Sequence, residues 1–322
     1  MDRRTCVVAL AGGLVSTRTV AQPQPAAKTY RVGFLTWATP EQSTPLLHEF
    51  TEGLRELGYI DGRNIVIEPH YGDGTQNRLP DLAAGIVRSR VDVIVTGANP
   101  STAAAKRATT TIPIVMVGTL DPMGFGLVAS LARPGGNVTG LCVDASAEMS
   151  AKLLGLLTEM VPGLSRVGVF RQVGYPEPPL ESAAQRLNVE VYVVDVSNID
   201  ELERAFAAMS RKRVGAVIIR GPLFYVRRQQ VADLALKHRL PAVHALKEYA
   251  QAGLLVTYGA NLLDLYRRAA IYVDRIVKGA KPGSLPVEQP TKFDLVINLK
   301  TAKALGIIIP QSLLQRADEV IQ

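Results

Sequence analysis

From Tyr30 onward the chain alternates between short runs of apolar residues and longer segments with apolar residues at helical spacing. A strand that is apolar on both faces is stable only where both faces are covered, and intervening helices supply that cover. The alternation therefore specifies a parallel sheet with helices on each side. The runs are "YRVGFLTW" (30–37), "NIVIEPHY" (64–71), "VDVIVTGA" (91–98) and "IPIVMVGT" (112–119). Helices are expected over 45–58, after Asn77, from Ser101 and over 126–131. Phe50, Leu54 and Leu57 share one face of the first, which Gly58 closes with a left-handed cap.

Pro134-Gly135-Gly136 interrupts the pattern before "NVTGLCV" (137–143), and a second series follows. Its strands are "RVGVFRQ" (166–172), "VEVYVVDV" (189–196), "VGAVIIRG" (214–221) and "LPAVHAL" (240–246). The 322 residues suit about two domains. The remaining pieces are a strand "LLVTYGA" (254–260), a helix over 262–279, a proline-rich passage over 281–290 and a last strand and helix. They are too short to stand alone, so they complete the two earlier units. Crossings near 139, 254 and 285 are expected, giving a first lobe of 30–139 plus 255–284 and a second of 140–254 plus 285–322.

Several function classes drop out. With 47% apolar and 20% charged residues the composition is globular. Every apolar stretch is interrupted before the ~18 uncharged residues that a membrane-spanning helix needs. Lys and Arg outnumber Asp and Glu by 36 to 29, but they are dispersed, mostly singly or in pairs such as Arg227-Arg228 and Arg267-Arg268, with no run longer than the three at 211–213, so no nucleic-acid partner is expected. The start Met1-Asp2-Arg3-Arg4, the uncharged run to Thr17 and the small residues Thr19-Val20-Ala21 describe a cleaved signal peptide (1–21) followed by a linker (22–29). Cleavage removes Cys6 and leaves Cys142 alone, so neither a disulfide nor a cysteine zinc site is expected.

The four histidines are scattered, so no metal is expected. No nucleophile elbow, phosphate-binding Gly-Lys-Ser/Thr loop or kinase set is present, and no catalytic residues are expected. Gly124-Phe125-Gly126-Leu127-Val128-Ala129, with Asp144 twenty residues on, imitates a dinucleotide fingerprint. It follows the fourth strand rather than the first, and residues 120–123 separate it from the strand tip. No cofactor is expected, and the Asn137-Val138-Thr139 sequon is read as chance.

Ligands of open α/β sheets bind beyond the carboxyl ends of the strands, where helix N-termini present free N–H groups. In the first lobe this selects Thr36 and Trp37, then Asn99, Ser101 and Thr102, then Asp121. The Asn, Ser and Thr side chains suit either ordinary helix capping or a bound carboxylate. Trp37, the sole tryptophan, suits stacking on a flat ligand or simple packing. Tyr258 is expected at the end of a strand returning to the first lobe. Asp144 and Tyr175 join the candidate ligand-binding set.

The strings "RELGYIDGRNIVIE", "DPMGFGLVASLARPGGNVTGL", "YRRAAIYVDRIVKGAKP", "LPVEQPTKFDLVINLKTAKALG" and "PQSLLQRADEVI" resemble ABC-transporter substrate-binding proteins of the tryptophan/tyrosine-binding type. The resemblance implies an α/β, type I periplasmic-binding fold: two doubly wound parallel-sheet lobes, three hinge crossovers and a ligand cleft between them. It further implies a closed form presented to an ABC permease; with the signal segment, and with no small apolar residues before Cys6 to mark a lipid anchor, a soluble periplasmic protein is expected, and a monomer. Amino-acid-binding relatives carry an Asn-Ser type pair and an Asp-Asn type pair in the second lobe. Here the matching places hold Arg171-Gln172 and Arg220-Gly221. Guanidinium groups attract a carboxylate and repel an α-amino group, so a carboxylate ligand, aromatic or otherwise, is expected rather than an unmodified amino acid. The alternative is that either arginine turns to solvent or pairs with Glu177 or Asp144. Rival classes are a sensor module for a membrane receptor, a ligand-sensing repressor and a nicotinamide enzyme. The repressor would need a helix-turn-helix module of ~55 residues where 29 precede the first strand.

Overall fold

The computed structural model describes residues 28–143, 147–175 and 180–322. The expected signal segment, most of the linker, Asp144 and Glu177 lie outside the described residues. The first series forms β1 (Tyr30–Thr36), α1 (Pro40–Glu56), β2 (Ile65–Tyr71), α2 (Leu79–Arg88), β3 (Val93–Gly97), α3 (Ala98–Ala108), β4 (Ile114–Leu120) and β5 (Val138–Val143). Its strands make a five-stranded parallel sheet ordered β2-β1-β3-β4-β5. The second series forms α4 (Ala147–Met160), β6 (Arg166–Gln172), α5 (Glu181–Leu187), β7 (Glu190–Val196), α6 (Leu202–Arg211), β8 (Ala216–Arg220), α7 (Arg228–Lys237), β9 (Ala242–His244), α8 (Lys247–Gln251) and β10 (Val256–Ala260). After them come α9 (Leu262–Val277), β11 (Phe293–Asn298), α10 (Leu299–Leu305), α11 (Gln311–Arg316) and β12 (Glu319–Ile321). The second sheet has seven strands, ordered β12-β11-β10-β9-β8-β6-β7, with β10 and β11 antiparallel and the other pairs parallel.

Local chemistry accounts for the element ends. Thr39 caps α1, its hydroxyl accepting from the Gln42 amide while Gln42 reaches back to the Thr39 N–H, and Pro40 occupies the first turn. Asn261 and Asn298 cap α9 and α10 more simply, their side-chain oxygens accepting the Asp264 and Thr301 N–H groups. Side-chain alternation then sorts the apolar residues onto two faces. Val32, Phe34, Val93 and Val115 pack under α1 and α9, whereas Leu35, Ile94 and Met116 pack under α2 and α3. In the second lobe Val167, Val169 and Ile218 lie against α4, and Phe170, Val217 and Ile219 face α6 and α7. Gly53 lets α1 approach α9, since a β-carbon there would sit 2.3 Å from the Arg267 carbonyl oxygen.

Two expectations are corrected. Residues 126–131 form turns and bends, not a helix. Gly126 holds a φ of 63°, and the Leu127 and Val128 N–H groups both donate to the Pro122 carbonyl, which satisfies the backbone as a turn. The glycine motif at 124–129 therefore opens no helix on which a dinucleotide phosphate could rest. Second, the strand carrying Tyr258 does not return to the first lobe. The short α8 brings β10 back beside β9, with Val256 opposite Val243, so β10 stays in the second sheet and α9 is the element that crosses. The chain passes between sheets after β5, between β10 and α9, and between α9 and β11. Leu141 and Glu288 bridge the first and third passages.

Candidate functional site

The carboxyl ends of the two sheets face one another across a cleft, and the cleft is closed. The rings of Phe125 and Tyr175 meet across it at 5.1 Å. Gln42 Nε2, at the start of α1, donates to the Val226 carbonyl of the second lobe at 2.9 Å. Behind these contacts lies a cavity of about 130 Å³. That is close to the ~150 Å³ of an apolar cavity that accepts a benzene ring.

The first lobe lines the cavity with Thr36, Trp37 and Ala38 after β1, with Gly97, Ala98 and Asn99 at the β3–α3 junction, and with Leu120 at the end of β4. Leu46 of α1 and Leu262 and Tyr266 of α9 complete that wall. Gly97 is required there, since a β-carbon would lie 2.5 Å from the Tyr266 hydroxyl. The second lobe contributes Tyr175, Ile219, Arg220, Gly221, Tyr225, His244, Leu246 and Tyr249. Among the described lining residues there is no aspartate or glutamate.

Of the residues selected from the sequence, Thr36, Trp37, Asn99, Tyr175 and Arg220 line the cavity. Asn99 is already engaged: its Nδ2 donates to the Leu120 carbonyl at 2.7 Å and its Oδ1 accepts the Leu120 N–H at 2.8 Å, which pins the end of β4. The others lie elsewhere. Ser101 and Thr102 are buried within α3, where Thr102 donates to the Ala98 carbonyl. Asp121 caps its own turn, accepting the Gly124 N–H at 3.0 Å. Gln172 accepts the Leu223 N–H at 2.7 Å and so holds the turn after β8. Tyr258 stacks on Phe293 within the second sheet, with Lys152 over its ring.

The two arginines separate. Arg171 forks onto Asp195 of β7 at 2.7 and 2.9 Å, a partner that was not among those expected for it. Arg220 is 8% exposed, and among the described residues no carboxylate or other hydrogen-bond acceptor meets it. Burial pushes its pKa below the usual guanidinium value. A guanidinium nonetheless stays charged at neutral pH, so the cavity wall carries a cation that has no counter-ion among the described residues.

Sequence reasoning missed Tyr225, His244, Tyr249 and Tyr266. His244 ends β9, where the strand-end rule applies, but it reads as one scattered histidine among four. Its Nδ1 accepts the Leu246 N–H at 2.9 Å and its ring stacks on Tyr249 at 3.7 Å. Burial first, and the Arg220 charge second, push its pKa down to about 3, so the imidazole is neutral and its hydrogen sits on Nε2. Burial raises the phenol pKa of Tyr175, Tyr225, Tyr249 and Tyr266, which keeps all four hydroxyls protonated. The Tyr175 and Tyr249 hydroxyls are buried and have no partner among the described residues.

A family model described as ABC transporter substrate binding protein matches residues 46–321. The chain belongs to this family. This substrate-binding protein is 27% identical over 263 residues to the "Tyrosine-binding protein" of Clostridioides difficile (strain R20291), a match covering 80% of this chain and 75% of the relative. Among solved structures, a conserved domain protein from Vibrio cholerae superposes with a TM-score of 0.83 at 27% identity, over 91% of this chain and all of the other. An ABC domain from Streptococcus pneumonia, solved in complex with L-Trp, gives the same TM-score at 24% identity with the same coverage. The substrate-binding protein thus has the two-lobed α/β architecture of its structural neighbours, as the resemblance implied. No helix among the described residues is long and apolar enough to cross a membrane.

Proposed function

We propose that this protein captures a small organic carboxylate with an apolar, ring-sized body between its two lobes and delivers it to an ABC permease. It acts as a monomer outside the cytoplasm, exported by the segment at 1–21, and performs no chemistry on what it binds. The observation that carries this reading is Arg220. A guanidinium taken out of water without a counter-ion is several kcal/mol unfavourable, and a ligand carboxylate docked as a bidentate fork removes that cost. The rest of the wall suits an apolar body: Trp37, Tyr225, Tyr266, Leu46, Ile219 and Leu262 surround it. Burying about 100 Å² of ring surface contributes roughly 2.5 kcal/mol.

The relatives named for tyrosine and solved with L-Trp support an aromatic body. The polar end of the cavity favours a ligand without an ammonium group. No described lining residue bears a carboxylate for an ammonium group, and the lining asparagine is occupied by Leu120. The preferred ligand therefore lacks an α-amino group. Binding proceeds by docking on one lobe and closure of the other, with contacts that only the closed form makes stabilising it. A thermal-shift screen over amino acids, aromatic acids and amides, with mass spectrometry of what co-purifies, tests the proposal. Carboxylates should raise Tm in the wild type and not in Arg220→Gln; a screen in which no carboxylate shifts Tm refutes it.

A further inference from the structure

Arg220 is one of several unused hydrogen donors at the polar end of the cavity. His244 ends β9, the strand beside β8, and it lines the same wall as Arg220. Its ring is held on two sides, by the Leu246 N–H at Nδ1 and by the Tyr249 ring against its face. Nε2–H is thereby left as a donor of fixed position with no partner among the described residues. The Tyr175 and Tyr249 hydroxyls, also in the wall, are buried and have no partner among the described residues. A carboxylate on Arg220 satisfies the guanidinium alone. The neighbouring donors call for a further oxygen that accepts and has no proton of its own to place.

We infer that His244 is a second recognition residue, whose Nε2–H donates to an oxygen on the carbon next to the ligand carboxylate, so that the ligand class is a 2-oxo acid with an apolar body. Strand adjacency sets the spacing: groups on neighbouring strand ends reach acceptors a few ångströms apart, about the separation of a carboxylate from its 2-oxo oxygen. A 2-amino group brings protons to a wall that already supplies them. A hydrogen at that carbon leaves the imidazole donor unmade, and an unmade buried hydrogen bond is the larger loss. The inference rests on Arg220 anchoring a carboxylate.

Calorimetric titration of the full chain with phenylpyruvate, 3-phenylpropanoate and L-phenylalanine, which share one ring and one carboxylate, tests it. Phenylpyruvate should bind about 10-fold tighter than 3-phenylpropanoate and at least ~100-fold tighter than L-phenylalanine. His244→Phe, which preserves the stack on Tyr249, should abolish the first gap while leaving 3-phenylpropanoate within about 3-fold of its wild-type affinity. His244→Gln, which restores a neutral donor, should recover part of the gap. Equal affinity for the two acids overturns the inference and leaves the carboxylate reading standing, as does a gap that survives in His244→Phe. Tightest binding by L-phenylalanine overturns it too. Failure of all three probes, in protein shown by its melt to be folded, overturns the inference together with the carboxylate reading.

Discussion

Arg171 and Arg220 are register partners on the neighbouring strands β6 and β8, yet among the described residues Arg171 reaches an acid and Arg220 does not. Asp195, opposite Arg171 on the outer strand β7, takes both of its forked N–H groups. Arg220 lies one strand further in and turns to the cavity. The two substitutions should therefore diverge. Arg171→Gln should leave carboxylate affinity within about 2-fold and lower stability by less than about 1 kcal/mol, since Asp195 is half exposed. Arg220→Gln should weaken binding by ~100-fold or more. Calorimetry on both variants makes the comparison.

Removing Arg220 should also have an unusual sign in the ligand-free protein. Most core substitutions destabilise, but here a buried charge with no counter-ion among the described residues is deleted. Arg220→Met should raise the ligand-free Tm by about 2 °C or more while losing the ligand-induced shift. Differential scanning calorimetry with and without ligand reads both effects.

Closure has a separable contact. Gln42 does two things: its Oε1 completes the Thr39 cap, and its Nε2 donates to the Val226 carbonyl across the cleft. Gln42→Glu retains the capping oxygen and loses the donor. Affinity should fall about 5- to 10-fold with stability nearly unchanged, and the ligand-free protein should show a larger radius of gyration by X-ray scattering. An unchanged affinity would mean that the contact does not bias closure.

The architecture was readable in the sequence because its cause is local. Strands such as 93–97 and 216–220 are apolar throughout, and an apolar strand needs cover on both sides. Thr36, Trp37 and Arg220 were accessible for a related reason: they stand at strand ends, where the doubly wound fold opens its cleft. What was missed depends on contacts distant in sequence. The antiparallel pairing of Tyr258 with Leu295 leaves no mark in a pattern of apolar runs. Tyr266 reaches the cavity from a helix face that packs on Phe34, and Tyr249 from the short α8 beside His244. That Asp195 neutralises Arg171 and not Arg220 follows from strand order, since β7 and its Asp195 flank only β6.

His244 also makes stability depend on pH. Its pKa is about 3 in the folded protein, below the ~6.5 of an unfolded chain, so the unfolded state binds more protons between those values. Its contribution to stability is present above pH 6.5 and is lost as pH falls toward 3, by at most about 1.4 kcal/mol per pH unit. Urea melts of the ligand-free protein at pH 7 and pH 4.5 should show a shallower loss in His244→Phe than in the wild type. Equal losses would place the titration elsewhere.

A crystal structure with the ligand identified by co-purification shows whether Arg220 anchors it. The ligand should lie enclosed between the lobes with its carboxylate about 3 Å from the Arg220 guanidinium. A ligand held by other residues, with Arg220 turned to solvent or onto a protein carboxylate, would contradict the account.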